Sequence, residues 1–413
     1  MKPFSLLIKP VSADCNLRCE YCFYLDHSSL YPQTKVHRMS DAVLEKMISS
    51  YMATPQPQYA FGWQGGEPTL MGVDFFKRVI ELQKKHGRPG SSVANGLQTN
   101  ATLIDDEMAR LFAEYHFLCG VSLDGPAAIH DRFRKNGAGA GSHAQVLRGI
   151  QHLQNNGTEF NILTLVSSAN VNRAREVYEY LRDRGFHYHQ YIPCVEFGES
   201  GTLLPFAVDG KQWGDFLCEI FDIWYKTDTR IVSIRLFDSI LTYLVDGIYN
   251  ICHMGRNCNQ YFVVEYNGDI YPCDFFVEKS LLIGNVADIT WEQASDVKVY
   301  HTFGKQKTLW NTQCSGCAYA AYCSGDCLKH RLPQSGGDPK TLSVLCAGWK
   351  QFYAHALPGF QQLAEQIHRE RSTVAAPGTS PSNNAASYAN AGRNAPCPCG
   401  SGKKFKKCCM KQI

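Results

Sequence analysis

Three cysteines, Cys15, Cys19 and Cys22, stand in the pattern CxxxCxxC, and neither a fourth cysteine nor a histidine completes the set nearby. Thiolates at this spacing bind a soft metal. Structural zinc closes its tetrahedron with four protein ligands, usually from CxxC pairs, so three leave a corner open. A cubane iron–sulfur cluster held by three thiolates leaves one iron free to take a substrate. The spacing favours the cluster.

A second and larger set comprises Cys252, Cys258, Cys273, Cys314, Cys317, Cys323, Cys327 and Cys346. These thiolates suffice for two closed sites, of zinc or of iron–sulfur. Spacing alone does not say which cysteines share a site, because ligands distant in the chain interleave. A third set, Cys397, Cys399, Cys408 and Cys409, forms CxCx8CC in the final 21 residues. So short a module has too little core to fold unaided, and a closed tetrahedral zinc would supply its folding energy. The bland alternative is a disordered basic tail with reactive thiols. Cys119, Cys194 and Cys218 lie in apolar surroundings and read as buried structural thiols.

The chain that must position these groups has 413 residues, 44% hydrophobic and 19% charged, long enough for one large domain or several ordinary ones. No apolar run approaches the roughly 18 to 20 residues of a membrane span. The opening MKPFSLLIKP lacks the apolar stretch and cleavage site of a secretory signal, so the expectation is a cytoplasmic protein. In a reducing compartment, 18 cysteines are ligands and catalytic groups rather than a disulfide framework. The net charge of +3 is carried by the tail: from Arg393 onward there are six basic residues and no acid, so the remainder is at −3. No nucleic-acid role is expected of the whole protein, though the tail can touch an acidic surface.

Short β-like runs alternate with amphipathic segments over the first two thirds. The strands expected are 5–9, 59–63, 93–98, 117–123, 160–166 and 188–192, with helices such as SDAVLEKMISSYM, capped by Ser40, and VDFFKRVIELQKKH between them. Six βα units suit a parallel sheet in a partial or complete barrel. The segments CNLRCEYC, QGGEP, QTN and SLDGP each follow the C-terminal end of a strand, the face where barrel enzymes build active sites. Beyond Cys252 the pattern becomes cysteine-rich loop, with a hairpin expected at FVVEYNGDIYPC around Asn267-Gly268. Residues 349–371 read as a helix interrupted at Pro358 and Gly359. Residues 372–392 read as a flexible linker, and 393–413 as a separate module.

CxxxCxxC after a first strand, with Tyr21 before the last cysteine, and GGEP (65–68) after a second resemble the radical S-adenosylmethionine (SAM) superfamily. The resemblance implies that the open iron chelates SAM and that the reduced cluster splits it to a 5'-deoxyadenosyl radical. The later cysteines resemble a SPASM domain. That resemblance implies two auxiliary clusters, one on Cys252, Cys258, Cys273 and Cys327, the other on Cys314, Cys317, Cys323 and Cys346, hence three 4Fe-4S clusters in all. Fully ligated clusters cannot chelate a substrate, so their work is electron transfer.

More narrowly, LLIKPxSxxCNLxCxYCFY, WQGGEPTL, LQTNATLID, VSLDGPxxIH and YPCDF resemble the anaerobic sulfatase-maturating enzymes, over about residues 4 to 370. The implied α/β fold is a partial (β/α)6 TIM-like barrel (1–235), a SPASM domain (236–348) and a C-terminal helix (349–371). The implied activity oxidises a cysteine or serine of an unfolded or nascent sulfatase to Cα-formylglycine. In it, Asp274 is the base, an auxiliary cluster takes the second electron, and an external low-potential donor feeds the enzyme. Tyr21, Gly66, Ser122, Arg134 and Val195 fall where the family contacts SAM. Tyr24, Gln64 and Gln98 share that rim and are expected to position the peptide. The end of the chain resembles the SEC-C-type zinc module of the preprotein translocase motor, a docking device for a partner protein or chaperone. Two other readings stay open at this level. One is a radical maturase installing a crosslink or thioether in a ribosomal peptide, and the other is a regulatory scaffold whose sites all hold zinc.

Overall fold

A computed structural model describes residues 2–27, 30–332 and 337–374. The expected apolar runs become parallel strands: β1 (Ser5–Lys9), β2 (Gln58–Trp63), β3 (Ser92–Thr99), β4 (Leu118–Ser122), β5 (Phe160–Val166) and β6 (Tyr188–Pro193). A short β7 (Ser233–Ile234), not foreseen from the sequence, pairs with β6. Helices pack between strands as the periodicity requires. Asp41–Met52 begins at Ser40, whose hydroxyl accepts from the Val43 N–H at 3.3 Å, and Gly72–His86 buries Phe76, Val79, Ile80 and Leu82. Each fully buried side chain of this size contributes roughly 1.5–3 kcal/mol.

The hairpin expected around Asn267-Gly268 is present as β8 (Tyr261–Glu265) and β9 (Asp269–Tyr271), antiparallel, followed by β10 (Gly284–Asn285). Gly268 at φ +91° supplies the left-handed turn residue. This hairpin is not a separate layer. β8 pairs parallel with β1 from Ser5↔Tyr261 to Lys9↔Glu265, giving one sheet in the order β10-β9-β8-β1-β2-β3-β4-β5-β6-β7. With β8 on its outer side, β1 has no edge left for a closing strand, and the barrel is partial.

The final described helix, Cys346–Val374, runs through Pro358 without a break, correcting the interruption expected there. It also takes in the first residues of the expected linker; the rest of the linker and the cysteines of the end piece lie outside the described residues. Among the described residues no helix is long and apolar enough to cross a membrane.

Candidate active site

The loops that follow β1, β2 and β3 are fastened to one another before any ligand is considered. The Gly66 N–H donates to Ser12 O and the Glu67 N–H to Asp14 O, each at 2.8 Å. A Cβ on Gly66 would lie 1.9 Å from Asp14 O, so no other residue fits without moving backbone. Glu67, fully buried, accepts from the Thr69 N–H (3.0 Å) and hydroxyl (2.6 Å), the Thr99 hydroxyl (2.8 Å) and the Asn100 N–H (2.7 Å). It ties GGEP to QTN. Asn100 in turn points its amide at Cys15 Sγ (3.7 Å), and the Leu17 N–H does the same at 3.4 Å.

Cys15, Cys19 and Cys22 face one cavity of about 250 Å³. Leu17, Tyr21, Phe133 and Cys194 pack around them, so the thiols sit in apolar surroundings. Burial pushes Cys15 up to about 12 and Cys19 to about 11, the Arg134 guanidinium pulling Cys19 the other way, and burial raises Cys22 as well. Three soft donors held where an uncompensated thiolate is costly fit a cationic iron–sulfur core, whose charge would stabilise all three.

The same cavity collects Tyr21, Gly66, Ser122, Arg134 and Val195, together with Tyr24, Gln64, Gln98 and Asp274. Three of the first five lie on the SLDGP loop or are tied to it. The Tyr21 hydroxyl donates a short hydrogen bond to Asp124 Oδ2, and Arg134 Nε donates to the same oxygen at 2.9 Å. The Arg134 guanidinium lies 5.5 Å from the Tyr21 ring centre. Gln98 Nε2 donates to the Ser122 hydroxyl at 3.2 Å.

Asp274 also lines this cavity, 7% exposed, where two elements distant in sequence reach it. The Tyr24 hydroxyl donates to Oδ2 at 2.5 Å, and the Lys9 ammonium sits 2.9 Å from Oδ1. Lys9 is itself 1% exposed, 3.3 Å from Glu265 Oε1 and 4.7 Å over the Tyr24 ring. Burial works against the Lys9 charge, but Asp274 and Glu265 outweigh it and raise the ammonium above its ordinary range. Lys329 and Glu196, paired at 2.6 Å, line another side of the cavity. Lys9, Glu265, Asp124 and Glu67 were missed from sequence. For Lys9 a signal existed, a charged residue at the end of an otherwise apolar buried strand.

The eight later cysteines separate into two groups. Cys252, Cys258, Cys273 and Cys327 line a second cavity of about 600 Å³. Burial, reinforced by the neighbouring thiols, raises Cys258 to about 12 and pushes Cys273 and Cys327 well above the ordinary thiol range. Cys314, Cys317, Cys323 and Cys346 line a smaller pocket, with Cys323 raised by burial, Asp326 and the Cys346 and Cys314 thiols, and Cys346 raised by burial and the Cys314 and Cys317 thiols. Each group offers four soft donors, a set that fits a fully ligated cluster. Of the three remaining thiols, Cys119 and Cys194 are buried, while Cys218 is half-buried.

Comparison with known proteins agrees with this geometry. Residues 10–181 match the Radical SAM superfamily, residues 252–318 an iron-sulfur cluster-binding domain, and residues 393–411 the SEC-C motif. A serine-type anaerobic sulfatase-maturating enzyme of Bacteroides thetaiotaomicron is 36% identical over 387 residues, covering 90% of this chain and 93% of that one. A cysteine-type enzyme of Clostridium perfringens is 35% identical over 371 residues, covering 89% and 100%. The solved structure of native anSMEcpe with bound AdoMet and Cp18Cys peptide superposes with a TM-score of 0.82 at 34% identity, covering 89% of this chain and all of that one. With the thiol loop, the glycine-stapled rim and both cysteine quartets in place along nearly the full length of these relatives, the chain belongs to the anaerobic sulfatase-maturating enzymes of the radical SAM superfamily.

Proposed function

We propose that this chain oxidises one cysteine or serine of a sulfatase polypeptide to Cα-formylglycine. The observation that carries the reading is the juxtaposition, in one cavity, of the three-thiol loop and a carboxylate already supplied with a counter-charge and a hydrogen-bond donor. Cys15, Cys19 and Cys22 would hold the cluster whose chemistry is reductive cleavage of SAM to a hydrogen-abstracting radical, and the later cysteines would hold clusters able to take the second electron. Gly66, Ser122, Arg134, Val195 and Tyr21 hold SAM. The glycine lets backbone approach closely, and the hydroxyl and guanidinium supply donors. Asp274 takes the thiol or hydroxyl proton of the substrate. Lys9 and Tyr24 keep its carboxylate aimed, and the apolar wall of Leu17, Phe133 and Cys194 keeps water from the radical. From cysteine, loss of one hydrogen atom, one proton and one electron leaves a thioaldehyde, which water converts to the aldehyde with release of sulfide. From serine the same losses give the aldehyde directly.

Three 4Fe-4S clusters, an external low-potential electron donor and a cytoplasmic setting complete the reading. Zinc on Cys397, Cys399, Cys408 and Cys409, with a docking function toward a partner protein, is supported by the SEC-C match. The test is to incubate reconstituted enzyme, reductant and SAM with sulfatase-motif peptides bearing cysteine or serine, and to weigh the products. An aldehyde peptide formed together with 5'-deoxyadenosine is expected. Deoxyadenosine with a crosslinked or thioether product, and no aldehyde, would overturn the assignment.

A further inference from the structure

The cavity bounded by Cys252, Cys258, Cys273 and Cys327 is also lined by Trp213, Trp349 and His253. Trp213 and Trp349 are 1% and 4% exposed, yet neither indole Nε1 has a hydrogen-bond partner, and His253 Nε2 is equally unpartnered. An indole N–H can only donate, and a buried donor left unmade costs about 1–3 kcal/mol. Two such donors on one cavity wall therefore point to an acceptor inside it. The rings are also held rigidly. His253 stacks on Trp349 at 5.1 Å and 16°, Tyr353 stacks on it at 5.7 Å and 18°, and Trp213 meets Trp349 edge-on at 5.7 Å. Among the described side chains the cavity offers one unpartnered carboxylate oxygen, Asp326 Oδ1, and one imidazole nitrogen, His253 Nε2, whose ring already stacks on Trp349. The sulfurs of a group bound by the four thiols are acceptors placed on the same cavity, and hydrogen bonds to sulfur stabilise the more negative, reduced state. Trp349 also lines the pocket of Cys314, Cys317, Cys323 and Cys346, so one aromatic stack borders both quartets.

We infer that Trp213 and Trp349 donate their indole N–H groups to the sulfurs of the cluster held by Cys252, Cys258, Cys273 and Cys327, and thereby raise its reduction potential. This makes that cluster the better electron acceptor for the oxidation beside Asp274. The inference rests on those cysteines holding an iron–sulfur cluster. The test is an EPR-monitored redox titration of anaerobically reconstituted holoenzyme. Trp349→Phe and Trp213→Phe are each expected to lower the midpoint, raising the oxidised-to-reduced ratio at fixed potential about tenfold, or about 59 mV for one electron. Trp224→Phe removes an equally buried indole whose Nε1 already donates to Val232 O at 2.7 Å, and is expected to leave the midpoint unchanged. No shift in the first two, or an equal shift in all three, would overturn the inference. Should a variant fail to load iron, wild-type holoenzyme carrying indole-15N tryptophan decides: 15N hyperfine coupling to the reduced cluster is expected. Its absence, the outcome if a water on Asp326 takes the N–H groups instead, refutes the inference. Iron content unchanged by Cys327→Ala would sink the cluster reading itself, a failure distinct from a loaded cluster with an unmoved potential.

Discussion

The thiol loop at Cys15–Cys22 and the quartet of Cys252, Cys258, Cys273 and Cys327 present the same donor in opposite ways. The loop takes all its thiols from one short stretch, held by backbone bonds from Arg18 N–H to Lys135 O and Glu20 N–H to Phe133 O, with the GGEP turn bonded to Ser12 and Asp14 just ahead of it. The quartet gathers its thiols from a hairpin, a loop and a later segment, and its shape comes from the packing of Phe276, Phe303, Leu328 and Leu332. The first offers three thiols on a cavity shared with Gly66, Ser122 and Arg134; the second offers four thiols on one cavity. An open site can be written in local spacing. A closed one of this kind exists only after the fold has formed.

The contrast is broken most severely by exchanging one cysteine in each place. Cys15→Ala is expected to abolish deoxyadenosine formation, whereas Cys327→Ala keeps SAM cleavage and loses the aldehyde; chromatography of both products from each variant checks this. Asp274→Asn comes next, lowering aldehyde formation by about 10²–10⁴, the usual worth of a positioned base, while iron content and SAM cleavage stay. Equal turnover would remove Asp274 from the chemistry. Lys9→Met joins the two regions in one measurement. It strands Glu265 and Asp274 without their cation and is expected to destabilise the chain by about 3–5 kcal/mol, read as a lower urea midpoint.

The smallest effect is read at the rim by pH, against a background to which the buried His253 of the quartet cavity, also held down to about 4, contributes in wild type and variant alike. His130, buried under the SLDGP loop with Nδ1 accepting from the Asp124 N–H at 3.3 Å, is held down to about 4 by burial, the nearby Asp124 opposing. The unfolded chain protonates this group near 6.5, so its contribution to stability is complete above pH 6.5 and is lost as pH falls from there towards 4. His130→Gln should flatten that part of the curve of urea midpoint against pH. A slope unchanged by the substitution would place the pH sensitivity elsewhere, His189 being held down to about 4 by burial in the same way.

What was legible in sequence follows the same division. The first six strands, the Ser40 cap, the Asn267-Gly268 hairpin and the rim position of four loops are short-range patterns, and they stand where periodicity and turn chemistry put them. Asp274 and the partition of the eight later cysteines came from resemblance, since nothing in spacing announces either. What escaped were partners made by tertiary contact. Lys9 and Glu265 are brought together by the β1–β8 pairing, and Asp124 and Glu67 become organising acceptors only when adjacent loops close over them. Pro358 misled because a helix can tolerate a lost N–H where neighbouring packing holds it; propensity at one residue is a weak prior against that.

The parallel pairing of β1 with β8 has a consequence for how the protein is made. Ser5 must wait for Tyr261 before its second edge is covered, a contact of very long sequence separation and therefore slow to form. A nascent chain that has released only the barrel strands carries Cys15, Cys19 and Cys22 but lacks the Lys9–Asp274 ion pair, which arrives with the same late event. The order of synthesis thus withholds that buried ion pair until the strand next to the first one is in place, and a chain truncated before Asp274 lacks it.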